Sequence, residues 1–356
     1  MMSAAVEQSR KKASPSPSPS CGLWSLPDEI AIACFARVSR VDHAALSMAS
    51  KSYRSLVVSP EFYETRSRMG CTEECVYVFN DSPIERNPRW FILRRCVKNN
   101  RNRLIPIPSF PTPRSATLVS LGCGIYVIGG WKKYSKTALV SYLDCRTHTW
   151  SYLPSMSVAR AGARAGVLDG KIYVFGGCEE DPSIWAEVFD PKLQTWSRVV
   201  IPDQLLMTEA RKGVQGEETF TVSCNFPRVE GLWNDFNYCA TDRLLYCMHA
   251  DGSIMWCDPL SRCYLLNHGH KNGLFGFMPG NKLLTSSRGN ILVFWDLLVG
   301  DADPKTLEIW CAEISMQMWE GDIWGNVLWS DAVFSTSPHL GFHVCYSVSY
   351  SVSVHV

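Results

Sequence analysis

The sequence predicts a mainly β fold, built from repeated four-stranded units and preceded by a small helical segment. Three observations carry this. Within residues 125–196 the chain says the same thing twice: Ile125-Tyr-Val-Ile-Gly-Gly130, a polar loop, then a second run to Trp150; and Ile172-Tyr-Val-Phe-Gly-Gly177, a polar loop, then a second run to Trp196. The Gly pairs lie 47 residues apart and the tryptophans 46. Each copy reads as short strands rich in β-branched and aromatic residues, with glycines where the backbone turns or approaches a neighbour. The second run of each copy enters a turn, at Asp144-Cys145 and at Asp190-Pro191, and the strand after it carries the Trp. Ahead of all this, residues 25–69 change to helical periodicity.

A strand-rich repeat of this length cannot bury its hydrophobic face alone and needs a neighbour on each side. The period, the Gly-Gly pair and the later Trp resemble the kelch repeat, whose units are the blades of a β-propeller. Arg160 followed by Asp169-Gly-Lys-Ile-Tyr-Val-Phe-Gly-Gly177 carries that resemblance most closely. Dividing residues 70–340 by a period of about 45 gives six blades. Blades two and three are the clear copies. The first is expected from Val76–Asn80, Trp90-Phe91 and Leu104–Pro108, and the fourth from Thr219–Val222 with Trp233. Leu244–Cys247 with Trp256 and Tyr264 supply a fifth, and Leu283-Leu284 with Ile291–Trp295 and Trp310 a sixth. Ile323–Trp329 resembles the family's closing segment. The alternating Ser/Val/Tyr stretch from Tyr346 to Val356 matches no family ending and reads as an edge strand.

Composition narrows the function. The 356 residues carry 35 basic and 34 acidic side chains, a net charge of +1. That balance argues against a general nucleic-acid or membrane-surface binder. No apolar run approaches the length of a membrane-spanning helix. The N-terminal residues lack the hydrophobic core of a secretory signal, so the fifteen cysteines read as reduced thiols of a cytoplasmic or nuclear protein. Residues 1–24, with alternating Ser-Pro from Ser14 to Ser20, are expected to be a disordered leader.

Residues 25–69 begin with Leu26-Pro27-Asp28-Glu29-Ile30, a helix start with Pro in the first turn and acids at the positive end of the dipole. Apolar residues recur at Leu26, Ile30, Cys34 and Val38, with Ile32 and Phe35 widening the stripe. Asp42 is placed to cap a second helix that runs through Leu46 and Met48 to about Ser50, and Ser59-Pro60 to open a third. Three short helices make a small core that needs a partner or a neighbouring domain. The ordered set Leu26-Pro27, Ile30, Ala36–Ser39, Leu46-Ser47, Ser50-Lys51, Arg54–Leu56, Ser59-Pro60, Phe62-Tyr63 and Arg66-Ser67 resembles the F-box of plant F-box/kelch-repeat proteins. The resemblance implies docking on the Skp-type adaptor of a cullin ubiquitin ligase, with Leu26, Pro27, Ile30 and Cys34 as adaptor contacts. Ala33-Cys34-Phe35-Ala36 departs from the bulkier first helix usual in that family, which would trim the apolar contact.

No constellation for catalysis stands out. His268 with His270, and His339 with His343 and Cys345, lack the framework a metal site needs. The glycine pairs punctuate strands rather than cradle phosphate. No cofactor or metal is expected, and Arg160 and Arg164 read as hydrogen-bonding residues between blades. What remains is recognition by the loops after the Gly-Gly strands: Trp131-Lys132-Lys133-Tyr134, basic and aromatic, and Glu179-Glu180-Asp181, acidic. The expectation is a non-catalytic subunit of a ubiquitin ligase. It comprises a leader (1–24), an F-box (25–69), a kelch propeller (70–340) that captures an unidentified target protein, and an atypical tail (341–356). The alternative is a propeller enzyme or metabolite-binding protein whose helices are structural only.

Overall fold

The computed structural model describes residues 27–80, 89–95, 102–178, 185–199, 238–241, 244–248, 254–257, 263–265, 267–268, 282–300, 306–336 and 348–356. The chain divides into two compact units, Met1–Cys71 and Thr72–Val356.

Among the described residues the first unit contains four helices, α1 (Asp28–Phe35), α2 (His43–Ala49), α3 (Lys51–Leu56) and α4 (Pro60–Arg68), with a 3₁₀ turn over Arg40–Asp42. The second helix ends where the sequence places its end, and α3 follows as a helix the sequence does not announce, with the break at Ser50. Its backbone is extended (φ −160°, ψ 153°), and its hydroxyl accepts from the amides of Ser52 at 3.1 Å and Tyr53 at 3.3 Å, capping α3. Ser59 caps α4 in the same way, accepting from the Phe62 amide at 3.2 Å, with Pro60 in the first turn. Asp42 makes no capping bond: as the last residue of the 3₁₀ turn it has helical dihedrals (φ −94°, ψ −5°), not the extended ones a capping side chain requires. Phe35, Tyr53, Val57, Phe62 and Tyr63 form the core. Arg66 is buried with them, donating to the carbonyls of Ala36 at 2.9 Å and Val38 at 2.8 Å, where α1 ends. Its guanidinium thereby satisfies carbonyls that the helix end leaves without an intrahelical donor.

In the second unit the strands run in order of sheets. β1 (Glu74–Asn80), β2 (Arg89–Arg94) and β3 (Arg103–Ile107) form the first. β4 (Thr117–Leu121) and β5 (Gly124–Ile128) are followed by a two-stranded hairpin, β6 (Trp131–Lys132) and β7 (Ser135–Lys136). β8 (Val140–Asp144) and β9 (Thr149–Leu153) then complete the second sheet, in the order β4-β5-β8-β9. β10 (Arg164–Leu168), β11 (Lys171–Phe175), β12 (Ala186–Asp190) and β13 (Thr195–Arg198) make the third; β14 (Tyr238–Thr241), β15 (Leu244–Met248), β16 (Ile254–Cys257) and β17 (Cys263–Leu265) the next. The last combines β18 (Asn267–His268), β19 (Lys282–Ser287), β20 (Asn290–Val299), β21 (Thr306–Trp319) and β22 (Asp322–Thr336). Among the described residues these five sheets, antiparallel except where β18 joins β22, are blades of a β-propeller and fall on the strands expected for blades one, two, three, five and six. The expected fourth, Thr219–Val222 with Trp233, lies outside the described residues.

The sequence repeat is a repeat of contacts. Asp144 and Asp190 each fold their turn by accepting from the amide two residues on, at 2.9 Å in both. His148 and Gln194, 46 positions apart, share φ 56°. Burial works against the charged Asp144. The Arg146 fork and the turn amides outweigh it and hold this carboxyl below the usual range. The indole N–H of Trp150 donates to the Pro108 carbonyl at 3.0 Å, and that of Trp196 to the Pro154 carbonyl at 2.8 Å, so each tryptophan clasps the exit of the preceding blade. Gly129 and Gly130 (φ 64° and 100°) pass so close to other backbone that a Cβ would meet the Arg160 carbonyl, at the approach to the next blade, at 2.3 Å and the Arg114 carbonyl, at the entry to their own, at 2.8 Å. This explains the Gly129-Gly130 pair: both glycines adopt left-handed dihedrals that other residues rarely take, and both leave room for a neighbouring backbone.

Ring closure differs from expectation. The expected closing segment Ile323–Trp329 lies in β22 and pairs locally with β21, Ile323 opposite Met318 and Val327 opposite Ile314. The closing strand is β23 (Val348–His355), antiparallel to β1 from Glu74↔His355 to Asn80↔Val348. β23 packs beside β19 and β4, β4 beside β10, and β19 beside β14, so the first strands of successive blades line the axis. The reason is chain geometry. Glu320-Gly321 (φ 52° and 88°) folds β21 back on β22 as a local hairpin, while the axial slot beside β1 takes the Ser-Val alternation of 351–354. Val354 and Val356 are buried there.

In β2 and β3, Arg94 and Arg103 are direct cross-strand partners, both exposed. Like charges in that position repel. Arg103→Glu is expected to raise stability by about 0.2–1 kcal/mol in a denaturant titration; a loss would show that the pair is held apart by solvent.

Candidate binding surfaces

The first helix sorts its side chains cleanly. Ala31, Ile32, Phe35 and Ala36 are buried, whereas Pro27, Ile30 (49% exposed) and Cys34 face outward. The residues that widen the apolar stripe are thus the core, and two of its main members, Ile30 and Cys34, lie outside it. Pro27, Ile30 and Cys34, spaced by three and four, share one face. Leu26 lies outside the described residues. Phe35 and Ala36, part of the departure from the family's first helix, point into the core, so only Ala33 and Cys34 alter the outer surface. The sequence reading missed Met48, 78% exposed on α2, because a seven-residue helix shows too few turns to assign its faces.

On the propeller, Arg160 is structural. It is fully buried, with its guanidinium on Glu187 Oε2 at 3.0 and 3.2 Å and on the carbonyls of Gly176 at 2.7 Å and Trp185 at 2.9 Å. Its own carbonyl accepts from Gly130 N at 2.7 Å, and its amide donates to Thr137 O at 3.1 Å, which ties the second blade to the third.

The loop after the first Gly-Gly pair is a built element. β6 and β7 pair Trp131 with Lys136 and Lys132 with Ser135, leaving Lys133 and Tyr134 at the tip. Trp131 is 41% exposed and Tyr134 99%; Lys132 and Lys133 are exposed as well. Lys133 has φ 59°, a left-handed conformation that costs a non-glycine residue roughly 1–2 kcal/mol. The hairpin is anchored by the Trp131 amide on Arg114 O at 2.7 Å and Thr137 N on Gly130 O at 2.9 Å. The structure therefore brings Trp131, Lys132, Lys133 and Tyr134 together. Glu179, Glu180 and Asp181 lie outside the described residues, as do His270, His339, His343 and Cys345. Among the described residues no group of three or more His, Cys, Asp or Glu is placed to hold a metal ion, and no helix is long and apolar enough to cross a membrane. Cys311 is fully buried and burial pushes its thiol well up, so it remains protonated at neutral pH.

A helical unit with an outward apolar face, followed along the chain by a propeller that displays charged and aromatic loops, defines a two-part interaction protein. Comparison with known families agrees. Residues 23–65 match the F-box domain, and residues 90–334 match the FKB95 kelch-repeats domain. Among relatives from Arabidopsis thaliana, F-box/kelch-repeat protein At4g39550 is 35% identical over 96% of this chain and 97% of its own length. Putative F-box/kelch-repeat protein At5g03000 is 37% identical over 90% and 86%. Putative F-box/kelch-repeat protein At3g46050 is 36% identical over 96% of each. The chain belongs to the F-box/kelch-repeat family, and its general role is that of an F-box substrate adaptor.

Proposed function

We propose that this chain is the substrate-recognition subunit of a Skp-cullin-F-box ubiquitin ligase acting in cytoplasm or nucleus. In this reading the helical unit docks on the Skp-type adaptor and the propeller loops hold the target protein. The observation that carries it is the outward face of α1, where Ile30 and Cys34 lie exposed although the helix has its own buried side. An apolar face left open beside a complete small core is what a partner's groove covers. The chain breaks no bond itself: tethering the target raises its effective concentration beside the conjugating enzyme.

Purified protein is expected to capture a Skp-type adaptor, and Ile30→Asp to weaken that capture by a factor of about 30 or more, the ~2 kcal/mol of an interface anchor. Because Ile30 is exposed, circular dichroism should be unchanged. Absence of capture by folded wild-type protein would overturn the reading.

A further inference from the structure

Charge is distributed along this chain far less evenly than its total suggests. Residues 86–143 hold eleven of the 35 basic side chains and none of the 34 acidic ones, leaving 24 basic against 34 acidic in the remainder. This basic stretch spans β2 to β8, the greater part of the first two blades. Within it the hairpin of β6 and β7 concentrates three lysines, Lys132, Lys133 and Lys136, around Trp131 and Tyr134. Arg114 joins the same element by an isolated backbone bridge to Trp131. Among the described residues no acidic group pairs with Lys132, Lys133 or Lys136. The tip residue Lys133 occupies a left-handed position that glycine would fill without strain. A cation is kept where the local backbone favours another residue, beside an aromatic ring that is almost wholly exposed.

We propose that this hairpin is the recognition element for an acidic segment of the target protein: carboxylates on Lys132, Lys133 and Lys136, with an apolar target side chain on Trp131 or Tyr134. The proposal rests on the reading of the propeller as the target-binding half. Charge complementarity selects the partner, since a stretch with eleven basic and no acidic side chains attracts carboxylates and repels basic chains. The aromatic rings supply the desolvated contact area that exposed ion pairs alone do not.

The test uses the full chain and a short dye-labelled peptide of glutamates flanking one leucine, read by fluorescence anisotropy. A control peptide carries Gln for every Glu. The acidic peptide is expected to bind and the Gln peptide not. Binding should fall by about tenfold or more between roughly 0.1 M and 1 M salt, as the screening length drops from ~10 to ~3 Å. Lys132→Glu/Lys133→Glu should abolish binding. Lys133→Gly, which suits the turn, should weaken binding while leaving thermal stability equal or higher. No binding of the acidic peptide, equal binding by the double variant, or preference for a single-stranded oligonucleotide over the peptide would each overturn the proposal. Adaptor capture is measured in parallel with the same variants. Peptide failure with intact capture removes this inference alone, whereas capture failure removes the ligase reading and leaves the peptide result standing.

Discussion

Deleting residues 346–356 is expected to abolish the folded propeller. The deletion removes β23 whole, and with it the ladder that pairs Glu74–Asn80 with Val348–His355 and the reciprocal bonds between Glu73 and Val356, both 2.9 Å. β1 would then expose a row of unpaired amides and carbonyls at the centre of the ring, where β19 and β4 now pack against β23. Buried Val354 and Val356 each contribute about 1.5–3 kcal/mol, and each lost ladder bond about 0.5–1.5 kcal/mol. The sum rivals the ~5–15 kcal/mol that holds a typical domain folded. The truncated protein should appear in the insoluble fraction or lose its near-ultraviolet dichroism, while Ser353→Ala in the intact chain stays within about 0.5 kcal/mol of wild type. A soluble truncation with an unchanged melting temperature would show that another strand closes the ring.

That the closing strand was misread shows where a sequence is legible. Blades two and three announce themselves because every feature of a blade is local: Gly129-Gly130, Asp144 and Trp150 recur as Gly176-Gly177, Asp190 and Trp196, and each does a job within its own or the adjacent blade. Ring closure joins residues some 275 positions apart, and no periodicity records such a pairing. Ile323–Trp329 had the apolar pattern of a closing strand but spends it on a hairpin with β21. Val348–His355 carried no ending recognisable in the sequence, and its register with β1 reveals its role. The helical unit tells a similar story on a smaller scale. Its apolar stripe was visible, but the division into a buried side (Ile32, Phe35) and an outward side (Ile30, Cys34) needed the fold, because both sets are apolar. The end of the second helix near Ser50 was visible too, but α3 was not, because six residues show too few turns to stand out from a loop. At the hairpin the composition of Trp131–Tyr134 was enough to mark it. The left-handed Lys133 was not foreseeable, since nothing about lysine signals φ 59°.

Arg160→Met is expected to destabilise the propeller by about 3–5 kcal/mol, the cost of stranding one partner of a buried ion pair. Arg160 and Glu187 are 0% and 1% exposed, so neither charge has water to fall back on. Without the guanidinium, Glu187 retains among the described residues Ser157, whose amide and hydroxyl donate to Oε1 at 2.8 and 2.5 Å. The Gly176 carbonyl loses the guanidinium as a donor, and the Trp185 carbonyl is left with the Gly176 amide. In a domain of this size each kcal/mol lowers the melting temperature by roughly 2–4 °C, so the expected shift is on the order of 10 °C. Glu187→Met should do comparable damage by leaving the cation unpaired. The double variant Arg160→Met/Glu187→Met distinguishes an ion pair from a packing role. If the charges are coupled, removing both costs much less than the two single losses added, because no uncompensated charge remains. Strict additivity would mean that Arg160 acts through the backbone carbonyls alone. In neither case should adaptor capture through Ile30 change in protein that remains folded, which separates the stability of the propeller from the docking of the helices.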